Sequence, residues 1–145
     1  MHAKYPNVFS PIKLGPVELP NRFYSSPHAV PMNILGKPTD DFIHYNVART
    51  RGGCGLLILS MAAHGRVRSV WPNIGPAEQV AAFRALTDAV HGAGGKIFGE
   101  PWYFWGLPGQ WAPLSPPAPA LGPSVGQFRF HDKGWATREM STEDI

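Results

Sequence analysis

The residues of this chain that could do chemistry stand just after short apolar runs. Ser26-Pro27-His28-Ala29 closes the run that begins at Phe23, and Glu100-Pro101-Trp102 follows Lys96-Ile97-Phe98-Gly99. Pro27 fixes a turn and leaves the neighbouring backbone N–H groups free to point at a ligand. An ionised Glu100 accepts hydrogen bonds and donates none. His64-Gly65-Arg66-Val67-Arg68 is a basic turn. Its chemistry suits a phosphate, yet barrel phosphate sites favour the loops after later strands, so it reads as a solvated face. Cys54 beside Gly53 reads as a small buried filler. The six histidines show no metal-ligand spacing: no pair stands at i, i+4 on a helix with an acid partner. G-x-S-x-G, a Walker loop and C-x-x-C are all missing from the sequence. No catalytic residue and no metal ligand is assigned.

These residues need elements to position them. Ile12-Lys13-Leu14 and Val17-Glu18-Leu19 alternate around Gly15-Pro16, which predicts a hairpin within 7–21. Phe23 to Ser26 reads as a short strand. Thr39-Asp40-Asp41 is a helix start, a capping side chain followed by two acids. That helix runs to Arg51 with Phe42, Ile43, Val47 and Thr50 on one face, and Gly52-Gly53 ends it. Gly55 to Ser60 is apolar throughout, as in a parallel strand covered on both faces. A second helix opens at Pro76-Ala77-Glu78 with Val80, Phe83, Leu86 and Val90 as its stripe, and Gly92, Gly94 and Gly95 close it. Lys96 to Gly99 is the third strand. The order β-α-β-α-β calls for right-handed crossovers and a parallel sheet.

Composition narrows the class. The chain has 145 residues, 43% hydrophobic and 16% charged, as in a globular domain. Its net charge of +3 is spread along the sequence, so nucleic acid is a poor partner. A single cysteine rules out an internal disulfide and points to a reducing cytoplasm. No apolar run is long enough to span a membrane. From 102 to 140 the texture changes to aromatics and prolines (APLSPPAPALGPS), which reads as a long covering loop and otherwise as a binding loop for a partner. Two architectures fit the element order, an open doubly wound sheet and a (β/α)8 barrel. The glycine fingerprint of a dinucleotide-binding sheet is absent where Ser26 to Pro31 stand. The reading is therefore an incomplete (β/α)8 barrel: an N-terminal hairpin plus about three βα units of a barrel that takes about 250 residues. The closing Ser141-Thr142-Glu143-Asp144 reads as the first turn of a third helix, and the chain as the front part of a longer protein.

The stretches FSPIKLGPVELPNRF, SSPHAVPM, GKPTDDFIHYNVARTRGGCGLLIL, EQVAAFRALTDAVHGAGGKIFGE and PSVGQFRFHDKGWATREMSTEDI, in this order, resemble the old yellow enzyme family of NADH:flavin oxidoreductases. They look most similar to the branch holding 2,4-dienoyl-CoA reductases and trimethylamine dehydrogenase. The resemblance implies an FMN-binding barrel that passes hydride from NAD(P)H through flavin to an activated alkene or related small molecule. It implies flavin contacts at Ser26, Pro27, His28 and Ala29, at Met61 near the end of the second strand, and at Glu100 at the end of the third. Trp102 would line the substrate side. Two positions depart from the family. Relatives usually carry Gln where Glu100 stands, and many carry Cys or Thr where Ala29 stands. The family's proton donor and phosphate grip follow later strands, so the chain by itself is expected to be inactive. The alternative reading is a small non-catalytic binding or assembly module, with the proline-rich loop as its contact surface or several copies closing a barrel as a homo-oligomer.

Overall fold

The computed structural model describes residues 4–28, 30–62, 71–75, 77–102, 120–122, 124–130 and 133–144. They fall into two compact units, one within 4–102 and one within 120–144.

The first unit begins with the expected hairpin: β1 (Ile12–Leu14) pairs antiparallel with β2 (Val17–Leu19), in register Ile12 to Leu19. Gly15 turns the corner at φ 56°, a conformation that favours glycine. The strand expected from Phe23 to Ser26 is shorter, β3 (Tyr24–Ser25). Asn21 fixes its entry. Its side-chain amide donates to Gly53 O at 2.9 Å while its Oδ1 accepts from Phe23 N at 2.9 Å.

A second hairpin was not foreseen. β4 (Asn33–Ile34) and β5 (Lys37–Pro38) are joined through Leu35 and Gly36, both left-handed, at φ 53° and 82°. Two central residues with positive φ are what a two-residue hairpin turn requires. Only the glycine signals that in the sequence, because leucine rarely adopts such a φ.

Helix α1 (Asp40–Arg51) starts where read. The Thr39 hydroxyl accepts from Phe42 N at 3.3 Å and donates to Met32 O at 2.6 Å. Gly52 caps its end, and the chain leaves through Gly53 at φ 103°. Phe42 and Thr50 are buried as expected, with Asn46 between them. Asn46 is tolerated inside because its amide donates to Phe42 O at 2.8 Å.

Strand β6 (Leu56–Ala62) follows, then a 3-10 turn at Ala77–Gln79, α2 (Val80–Gly92) and β7 (Lys96–Trp102). The sheet order is β3-β6-β7, with β6 central and both pairings parallel. The inner strand is buried along most of its length, whereas β7 is an edge among the described residues. Pro101 can therefore sit inside β7, where its missing N–H deprives no neighbouring strand.

The core lies between sheet and helices. Leu57, Leu59 and Met61 pack with Phe42 of α1 and with Leu86 and Val90 of α2, the last two wholly buried. One expected member of the α2 stripe is corrected. Val80 is 55% exposed, because the 3-10 turn ahead of it places Gln79 inward instead. Gln79 Nε2 reaches Leu35 O at 3.0 Å and so ties α2 to the second hairpin. Cys54 is half-buried against this core, and its thiol donates to Leu56 O at 3.1 Å.

The second unit corrects the expected loop over 102–140 from Ala120 onward. β8 (Ala120–Gly122), β9 (Gly126–Phe130) and β10 (Lys133–Glu139) form a three-stranded sheet in the order β8-β10-β9. β10 runs antiparallel to β9 and parallel to β8. The prolines that suggested irregular chain lie mostly before Ala120, outside the described residues. The Gly126–Phe130 and Lys133–Glu139 segments carry none, so their backbone donors are free to pair. Thr142–Asp144 forms one 3-10 turn, in agreement with the reading of Ser141-Thr142-Glu143-Asp144 as a helical start.

Candidate functional site

Parallel strands bring their C-terminal ends to one side of the sheet, and the candidate residues gather there. The register is Ile58 to Phe98, Ser60 to Glu100 and Ala62 to Trp102. Side chains alternate between faces along a strand. Leu57, Leu59 and Met61 take the helix side, so Ser60 and Ala62 take the other, with Glu100 and Trp102 beside them. Ser60 and Glu100 are thus neighbours across the ladder, with backbones about 4.8 Å apart as in any sheet. Glu100 is exposed and Trp102 half-buried.

The same pattern refines the expectation for Met61. Its side chain lies in the helix-facing core, and its Cε is 2.9 Å from where a Cβ on Gly99 would stand. It can meet a ligand at the rim only through its backbone. Glu100, Pro101 and Trp102 are the last residues of β7 rather than a loop beyond it, because β7 stays paired with β6 as far as Ala62.

A short segment at 71–75 organises the end of β6. Ala62 N donates to Pro72 O at 2.7 Å, and Ile74 N donates to Ala62 O at 2.9 Å. Asn73, wholly buried, donates from its backbone to Gly36 O at 2.9 Å, so the second hairpin buttresses this rim. His64 to Arg68 lies outside the described residues, as does Ala29.

At the end of β3, Ser26 is exposed and Pro27 half-buried. The His28 ring is held on both sides: Nδ1 stands 3.2 Å from Ser26 O and Nε2 2.6 Å from Tyr45 Oη. Tyr45 Oη also accepts from Arg49 Nη2, and the Arg49 guanidinium lies over the Tyr45 ring, 3.5 Å from its centroid. Sequence reading missed Ser60, Tyr45 and Arg49. Ser60 was legible as every second residue of β6. The Tyr45 and Arg49 pair was legible only as an i, i+4 spacing on α1.

Among the described residues no helix is long and apolar enough to cross a membrane. No group of three metal-ligating side chains occurs among them either.

The chain has counterparts among known proteins. The model of the NADH:flavin oxidoreductase / NADH oxidase family matches residues 7–145. The chain belongs to that family. Membership implies FMN as cofactor with NAD(P)H as reductant. The chain is 34% identical over 99 residues to an NADH oxidase of Thermoanaerobacter brockii, a match over 65% of this chain and 15% of that protein. It is 27% identical to a cinnamate reductase of Clostridium sporogenes, over all of this chain and 23% of that one. Among solved structures, an Old Yellow Enzyme from Pichia sp. AKU4542 superposes with a TM-score of 0.75 at 26% identity, over 95% of this chain and 38% of its own. The chain thus spans less than a quarter of the length of either curated relative.

The residues at the rim fit a flavin ring with one mismatch. Glu100 offers an acceptor for a ring N–H, and Ser60 beside it offers a hydroxyl that both donates and accepts. A glutamine at position 100 would add a donor for the neighbouring ring carbonyl, which an ionised Glu100 lacks.

Proposed function

We propose that this chain supplies the flavin-ring contacts of an FMN-dependent NAD(P)H oxidoreductase that reduces an activated alkene or related small molecule. In this reading the three parallel strands and the two helices between them are an arc of a (β/α)8 barrel. The observation that carries it is the juxtaposition, at the C-terminal ends of three parallel strands, of Ser26-Pro27-His28, Ser60 and Glu100-Pro101-Trp102. That end of the strands is where barrel enzymes place their sites.

FMN, when bound, carries the hydride between nicotinamide and substrate. This chain's residues hold and orient it. Glu100 accepts from the ring's pyrimidine edge, and Ser60 donates beside it. Ser26, Pro27 and the backbone at 28 border the ring, and Trp102 walls the substrate side. Met61 contributes backbone only. Three strands are less than half of such a barrel, so turnover is assigned to the closed barrel and not to these residues alone.

The division between ring and phosphate contacts is testable. No phosphate-binding residue is assigned within this chain, so riboflavin and FMN should bind it equally, each perturbing the visible flavin bands on titration. An FMN affinity tenfold or more above that of riboflavin would place a phosphate site here and overturn the division. Saturable binding of neither would remove the flavin reading.

A further inference from the structure

The hydrogen-bond chain at the end of β3 has a direction that its chemistry forces. Arginine carries only donors. Arg49 Nη2 therefore donates to Tyr45 Oη, and the one phenolic hydrogen is left to point away from Arg49. The ring nitrogen 2.6 Å away, His28 Nε2, is its partner; because the Ser26 carbonyl beside Nδ1 can only accept, Nδ1 carries the proton of a neutral ring and Nε2 accepts the phenolic hydrogen. In the neutral imidazole an accepting Nε2 puts the proton on Nδ1. Nδ1–H then donates to Ser26 O at 3.2 Å.

We infer that Tyr45 and Arg49 are positioning residues for the rim loop: through His28 they set the imidazole tautomer and hold the Ser26 carbonyl. The Arg49 guanidinium, stacked on the Tyr45 ring and also near Tyr45 O at 3.4 Å, keeps the phenol from swinging away. A carbonyl held from behind in this way fixes the peptide plane between Ser26 and Pro27. His28 thus acts by its grip on the backbone, with its ring turned to α1 rather than to a ligand. The consequence for flavin rests on the function proposed above, while the tautomer does not depend on it.

Long-range 15N–1H spectra of the full chain, with His28 signals assigned by their loss in His28→Gln, read the tautomer directly. The expected result is Nδ1–H in the wild type and a shift toward Nε2–H in Tyr45→Phe, which keeps the ring under Arg49 but removes the hydroxyl. Nε2–H in the wild type overturns the inference, and so does an unchanged tautomer in Tyr45→Phe. Should Tyr45→Phe not fold, Tyr45→Leu removes the same hydroxyl and offers the same comparison. Flavin titration separates the two claims. Roughly fivefold weaker riboflavin binding by Tyr45→Phe, the scale of one hydrogen bond, supports the positioning role. Equal affinity of variant and wild type overturns that role. Absence of flavin binding to a wild type with the Nδ1–H tautomer refutes the flavin reading and leaves the Arg49-Tyr45-His28 chain standing.

Discussion

Replacing Gly36 by alanine should destabilise the first unit far more than the same change at Gly15. Both glycines have positive φ, 82° and 56°. An alanine held there costs roughly 1–2 kcal/mol through its Cβ, offset by about 0.4–1 kcal/mol from the stiffer unfolded chain. At Gly15 nothing lies within 4 Å of the new Cβ, so the net cost is about 1 kcal/mol or less. At Gly36 the new Cβ would stand 2.8 Å from Asn73 Cβ. Asn73 is wholly buried and bonded through its backbone to Gly36 itself, so the contact cannot be relieved by a rotamer change. Forcing such an overlap typically costs about 1–3 kcal/mol, which brings Gly36→Ala to about 2–4 kcal/mol. Both described α-helices belong to the first unit, so urea unfolding followed by helical circular dichroism reads it selectively. With an m-value of about 1–2 kcal/mol/M, the midpoint should fall by about 1–4 M for Gly36→Ala and by about 1 M or less for Gly15→Ala. Equal midpoints for the two variants would refute the close packing of the second hairpin on the 71–75 segment. The rim would then lose its buttress.

Leu86→Ala, at a wholly buried position, should cost about 3 kcal/mol, whereas Val80→Ala on the same helix should stay within about 0.5 kcal/mol; equal costs in a urea titration would show the α2 stripe misassigned. Thr39→Ala should remove about 1 kcal/mol with the cap of α1, measured by the same melt, and Thr39→Asn should recover most of it. Glu100→Gln should tighten riboflavin binding by roughly fivefold, since the amide donates where the carboxylate cannot; weaker binding by the variant would exclude Glu100 from the pyrimidine edge.

Local chemistry determined much of the first unit directly from the chain. Thr39 with Asp40 and Asp41, and Gly52 with Gly53, mark the two ends of α1 because caps and left-handed exits act within a turn of the residues that cause them. The first hairpin and the unbroken apolar run of β6 were legible for the same reason. Tertiary structure decided the rest. Leu35 adopts a left-handed turn that its own side chain disfavours, because Gly36 and buried Asn73 meet across it. Gln79 displaces Val80 from the core once a 3-10 turn rotates the start of α2. Met61 and Ser60 are adjacent in the chain, yet packing against Phe42 and Leu86 sends one to the helices and leaves the other beside Glu100. The His28, Tyr45 and Arg49 contacts join residues from two elements, and nothing in their spacing fixes the angle at which α1 crosses the end of β3. Sequence specified the first hairpin, the two ends of α1 and the order of the three parallel strands. Which face each side chain took depended on interactions between distant segments, and those exist only once the sheet and its helices have packed.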